Sequence, residues 1–231
     1  MRRLAALLLL AAAASGCNGA GGGTATVWVT RDRGARVLLV RHVPAGLTAM
    51  QGLERVAHVK TRYAGRYVQA VDGVEGSLST QRDWFYFVNG YEADRSAAEY
   101  RLRRGDVEWW DYRPWKDDMH EPVVVGAFPE PFLHGYGGNP RPSVVVYDQA
   151  SLAPTARRLA RVIRSKAVVP NGTTLMRDVN VLEVTRGRPG VWVAADGAGN
   201  PGDAVRIVVS GIGARLAAHP KLVRYRYSVL P

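Results

Sequence analysis

His134, with Glu130 four residues before it and Asp148 further along the chain, is the one grouping in these 231 residues with the residue types of acid–base chemistry. An imidazole moves a proton near neutral pH when a carboxylate orients it. Nothing in the local spacing adds a nucleophile to this set, and we assign it no reaction. The other histidines, at 42, 58, 120 and 219, lack the spacing of metal ligands. Ser210-Gly211-Ile212-Gly213 follows an expected strand and precedes an expected helix, like half of a dinucleotide fingerprint, but the third glycine and the downstream acid are missing. No G-x-S-x-G elbow occurs. The chain therefore reads as a non-enzyme, with no catalytic residue, no metal ligand and no certain cofactor.

The reactive residue that does carry a signal is Cys17, the only cysteine. Arg2 and Arg3 precede an apolar run over 4–14, and small residues lead to the cysteine. This is the layout of a secretory signal peptide, too short for a membrane span. A lone exported cysteine has no internal disulfide partner. Ser15-Gly16-Cys17 resembles the lipobox of bacterial lipoproteins, which implies a signal peptide over 1–17 with Cys17 as the lipidation site. The glycine-rich stretch 18–23 then reads as a flexible tether. The expected location is the extracytoplasmic face of the cell membrane, held by the lipid anchor.

The positions beyond the tether divide by charge and by aromatic content. From 24 to 118 there are 15 Lys/Arg against 13 Asp/Glu; from 119 to 231 there are 14 against 7. Five of the six tryptophans lie in the first stretch and only Trp192 in the second. Pro114, Asp117, Asp118 and Pro122 mark the change, so two domains are expected, 24–118 and 119–231. Nucleic acid is not an expected partner of an exported chain.

In the first domain, strand composition over 26–30 and 36–40 flanks a turn at Arg31-Asp32-Arg33-Gly34. A helix is expected to open at Pro44-Ala45-Gly46, with Leu47, Met50, Leu53 and Ala57 on one face. Residues 63–71 read as extended. Asp83-Trp84-Phe85-Tyr86-Phe87-Val88 is a strand closed by Asn89-Gly90, and 107–112 is the last strand. Its alternation puts Trp84, Tyr86 and Val88 on one face and Phe85 and Phe87 on the other. Both faces of that strand are apolar, whereas one helix can cover only one. The second face meets either a ligand or the second domain.

The hairpin, the helix, the W-x-Y-x-V-N-G run at 84–90 and the Gly105-Asp106 turn before Val107 and Trp109 resemble the transcobalamin-like C-terminal domain, over about 24–115. The resemblance implies a β-grasp-like domain. In vertebrate cobalamin carriers this domain closes over one face of a corrin held against a large helical barrel, which has no counterpart here. It implies cobalamin as the candidate ligand and Trp84, Phe85, Tyr86, Phe87, Trp110 and Tyr112 as the ligand-binding residues. Asn89, Gly90, Gly105 and Asp106 read as turn geometry.

The second domain is expected to be a small α/β or α+β unit, giving an α+β chain overall. A strand starts at Glu121, followed by a long Pro/Gly/aromatic loop over 128–140 of the kind that is often functional. Strands are expected at 143–147, 180–184, 191–194, 205–209 and 222–230, and helices at 152–165 and 213–219. The longer helix carries Arg157, Arg158, Arg161, Arg164 and Lys166, a basic stripe suited to anionic headgroups, an acidic partner or plain solvent. Two functions fit these features. One is a membrane-anchored binding protein that captures a corrinoid or other hydrophobic small ligand for a membrane transporter. The other is an envelope interaction module with no small ligand.

Overall fold

A computed structural model describes residues 22–194 and 199–231. The signal segment and Cys17, and all but the last two residues of the tether, lie outside the described residues.

The first half is built of β1 (Thr24–Arg31), β2 (Arg36–Pro44), α1 (Ala49–Glu54), β3 (Val59–Arg62), β4 (Tyr67–Val71), β5 (Val74–Glu75), β6 (Arg82–Val88), β7 (Tyr91–Glu92) and β8 (Val107–Pro114). One sheet has the order β2-β1-β8-β6-β7, with β1 and β8 parallel and the other pairs antiparallel. A second, smaller sheet runs β3-β4-β5.

The expected helix starts later than its sequence pattern. Pro44 is still paired with Thr24 in the β1–β2 ladder, and Gly46 at φ +93° turns the chain out of the strand. Thr48 then caps α1: its hydroxyl accepts from the Gln51 amide and the Gln51 side chain accepts from the Thr48 amide. Residues 63–71 are likewise not one extended run. Tyr63, Ala64 and Gly65 all have positive φ, and the turn they make separates β3 from β4.

The second half contains a 3-10 turn (Val125–Ala127), α2 (Glu130–Leu133), β9 (Ser143–Tyr147), α3 (Ala153–Val162), β10 (Ala167–Pro170), β11 (Asn180–Thr185), β12 (Gly190–Val193), β13 (Arg206–Ser210) and α4 (Gly213–Ala218). Its sheet has the order β10-β9-β11-β13-β12, parallel except for the β12 edge. Strands such as Ser-Val-Val-Val-Tyr are apolar nearly throughout, as a parallel sheet buried on both faces requires. Ala156 and Leu159 of α3 and Leu216 of α4 pack with Val145, Leu182 and Ile207 in one core.

Three expectations change here. The segment after Glu121 is a single bridge (Val123 to Tyr91) and a 3-10 turn in place of a strand. β10 was not foreseen, because its four residues carry little pattern. The final segment is no regular strand: after a 3-10 turn at Pro220–Val223 it runs as a strap, with a single bridge to the sheet where Val229 pairs with Val191. Tyr225 has φ +64°, and its ring and that of Tyr227 turn toward the first half rather than along a ladder. The architecture is mixed α+β, mostly sheet.

Candidate functional site

The register of β6 against β8 decides what the aromatic residues can do. Trp84 faces Tyr112 and Tyr86 faces Trp110 across the pair, while Phe87 faces Trp109. All six expected ligand residues are thus brought together, but on two faces. Trp84, Tyr86, Trp110 and Tyr112 share one, and Phe85 and Phe87 the other.

The first face is filled by the chain itself. Trp84 and Tyr112 are buried in the core to which α1 and the small sheet also contribute, with rings 5.3 Å apart. The Trp84 indole donates to the Val74 carbonyl at 2.8 Å, and the Tyr112 hydroxyl to the Glu75 carbonyl at 3.0 Å. Tyr86 stacks on Trp110 with 4.8 Å between centroids and donates to the Arg95 carbonyl. The Trp110 indole donates at 2.5 Å to Glu108, a fully buried carboxyl whose pKa desolvation pushes well above its usual value.

The second face is closed by the strap. Phe87 and Trp109 pack with Trp28, Val124, Ala127 and Tyr227. Beneath them Asp111, also fully buried, accepts from the Thr30 hydroxyl, the Arg33 and Gly34 amides at 3.0 and 3.1 Å, and the Tyr227 hydroxyl at 3.0 Å. Even with these donors, burial dominates and raises its pKa. The guanidinium of buried Arg113 lies 3.7 Å from the centroid of the Phe85 ring and donates to the Asp118 and Met119 carbonyls at 2.6 and 3.0 Å. The choice left open by the sequence falls to the second half of the chain: protein covers this face.

The motif residues of the first half hold a junction. Asn89 Nδ2 donates to Asp106 at 2.8 Å and to the Gly135 carbonyl at 2.7 Å, while its Oδ1 accepts from the Val107 amide at 2.8 Å. The His134 ring lies on Gly105, whose Cβ, were it alanine, would sit 2.5 Å from Nε2. His134 pairs with Glu130 across α2, but Asp148 is elsewhere, accepting from the Arg186 amide at the end of β9. The Ser210–Gly213 glycines are packing positions, since a Cβ on Gly211 would meet the Gly187 carbonyl at 2.4 Å.

This junction shapes an opening, a cleft of about 970 Å³ between the two halves. The first half lines it with Arg95, Glu99, Tyr100, Arg101 and Arg103; the second with residues 136–142, Arg177, Asp178, Pro201 and Gly202. Tyr100, its hydroxyl pushed up to about 12 by burial, accepts from the Gly137 amide at 3.1 Å and so docks the 134–140 loop. Tyr136 donates to Asp94 at 2.6 Å, and Arg95 grips the same carboxylate and covers the Tyr136 ring. The Arg95 guanidinium in turn holds the Asp94 carboxyl below its usual value.

Sequence reasoning missed these arginines. The usable signal was the alternation Arg101-Leu102-Arg103, whose buried leucine sends both neighbours outward, together with the flagged loop over 128–140. Among the described residues no cluster of His, Cys, Asp and Glu is placed to hold a metal, and no helix is long and apolar enough to cross a membrane.

A family model described as a domain of unknown function (DUF4430) matches residues 46–113, under a third of the chain. No curated protein matches. Among solved structures, a Ruminococcus gnavus protein described as a candidate metal binder is similar at 19% identity and TM-score 0.33, over 40% of this chain and 97% of its own. Haptocorrin in complex with Cbi is similar at 13% identity and TM-score 0.32, over 39% of this chain and 25% of its own. At these scores neither likeness carries an argument about this chain's ligand.

Proposed function

We propose that the chain is a membrane-anchored, extracytoplasmic binding protein that takes a small ligand into the cleft between its halves and passes it to a membrane transporter. The cleft carries this reading: at about 970 Å³ it has the size of small-molecule sites, and both halves line it. The basic leader and Cys17 support the export and lipid anchor. The β2-β1-β8-β6 order with its central parallel pair supports the β-grasp, transcobalamin-like reading of the first half, which keeps a corrinoid among the ligands to be tested. In this proposal the six aromatics bind no ligand directly. Tyr86 braces the cleft wall by its bond to the Arg95 carbonyl. No catalytic role is assigned to any residue.

One observation favours the interaction-module reading. Arg157, Arg158, Arg161 and Arg164 are exposed, and none has a carboxylate within 4 Å among the described residues, a face suited to an acidic envelope partner.

Native mass spectrometry of the full chain extracted in mild detergent from its own membrane separates the two. A small-molecule adduct on the wild type that is lost in Asn139→Trp, which plugs the cleft from an exposed loop position, is the expected result. No adduct, or one retained equally by the plugged variant, counts against the cleft.

A further inference from the structure

We infer that the ligand of this cleft is a small, multiply charged oxyanion, a polyphosphate or polycarboxylate, held between arginines of the two halves. The inference rests on the cleft being the binding site. Five arginines line it against two acids, Glu99 and Asp178. Their partners divide them into two sets.

Arg95 is held by Asp94 at 2.8 Å, and Arg141 lies 3.5 Å from Asp178 and 3.9 Å from Asp203 while donating to the Gly202 carbonyl at 2.5 Å. Glu99 is taken by Arg66, outside the cleft. These groups are neutralised and build the walls. Arg101, Arg103 and Arg177 remain. Among the described residues none of the three has a carboxylate within 4 Å, and all are solvent-exposed. Arg101 spends one N–H on the Gly46 carbonyl at 2.9 Å. The Arg103 stem lies along the 134–140 loop where Gly138, at φ +75°, has no Cβ; one there would stand 2.4 Å from Cδ.

Arg103 also bonds the Tyr100 hydroxyl, and its charge acts on the buried Asp106 carboxyl from beyond ion-pair distance. Two guanidiniums with no carboxylate within 4 Å thus come from the first half and one from the second, into one cavity. Like charges gathered without a close ion-pair partner repel, and their planar forks match phosphate and carboxylate oxygens in paired hydrogen bonds. A polyanion bridging them removes that repulsion and ties the halves together. A hydrophobic ligand would leave all three guanidiniums facing apolar surface.

The test titrates the protein from residue 22 onward, calorimetrically, with tripolyphosphate, citrate and cyanocobalamin at low ionic strength, and repeats it in Arg103→Gln, Arg177→Gln and the α3 control Arg158→Gln. The expected result is saturable 1:1 binding of tripolyphosphate or citrate. It should weaken at least tenfold in either cleft variant and in 0.3 M salt, remain unchanged in the control, and raise the melting temperature. Which of the two anions binds assigns the phosphate or carboxylate source. No saturation with either anion at 1 mM, or a loss confined to the control variant, overturns the oxyanion assignment. Cyanocobalamin bound in place of the anions and abolished by Asn139→Trp would overturn it too, leaving the cleft itself standing as the site. The glutamines keep side-chain length at exposed positions, and their melting curves show that they fold.

Discussion

The Tyr227 hydroxyl donates to the Asp111 carboxylate at 3.0 Å across 116 residues of sequence. That bond fastens the last segment of the chain over the aromatic strand of the first half. Burial pushes the tyrosine well above its ordinary value, so it is a donor at any neutral pH. Its ring also sits edge-on to Phe87 and Trp109. Tyr227→Phe should cost about 1 kcal/mol, because three other donors still serve Asp111. Tyr227→Ala should cost about 3–5 kcal/mol by leaving a cavity against two rings. Guanidinium unfolding of both variants checks the order; equal losses would mean that the ring does no packing there.

Gly34 has φ +75°, and a Cβ on it would lie 1.6 Å from the Tyr225 carbonyl oxygen, a backbone atom that cannot swing aside. Gly34→Ala should therefore lift the strap from Trp28 and Phe87. Limited proteolysis near residue 225 and a red shift in tryptophan emission are the expected signs. An unshifted spectrum with unchanged proteolysis would show that the strap tolerates displacement at this point.

Glu108 gives a pH dependence with a definite sign. In the unfolded chain it releases its proton near the ordinary value of 4.5, but desolvation keeps it protonated in the fold well above that. Between those two values the fold binds the extra proton, so this residue's contribution to stability falls as pH rises from about 4.5. Glu108→Gln keeps an acceptor for the Trp110 indole and removes the titration. The stability difference between variant and wild type should thus move in the variant's favour from pH 5 to pH 8, read from urea midpoints at each pH. A difference independent of pH would place the charge elsewhere.

Asn89 meets three groups at once, Asp106, the Gly135 carbonyl and the Val107 amide. Asn89→Ala should cost about 2–4 kcal/mol by stranding buried polar groups, and should loosen the 134–140 loop. Its melting temperature and the loop's amide exchange check this. A loss of under 1 kcal/mol would mean that water replaces the amide.

Local chemistry was the legible part of this chain. Alternation in Trp84–Val88 gave the strand and its two faces, and apolar runs such as 143–147 and 205–209 gave the second sheet. The turn reading of Asn89-Gly90 and Gly105-Asp106 corresponds to Gly90 and Gly105 at φ +90° and +87°. What covers the Phe85–Phe87 face was not legible, because Tyr225 and Tyr227 lie about 140 residues away in a segment patterned like a strand. Packing against the first half overrode that pattern. The cleft was hidden for the same reason: Arg101 and Arg103 meet Arg177 only through tertiary folding, which also decides which neighbouring arginines a carboxylate holds.

The most direct test of where the ligand sits is amide hydrogen exchange of the protein from residue 22 onward, with and without saturating tripolyphosphate. The expected result is protection in 95–103, 134–142 and 176–178, with 82–88 and 223–229 unchanged. Protection in 82–88 and 107–112 together with faster exchange across 223–229 would contradict it, because the ligand would then have displaced the strap and taken the aromatic face.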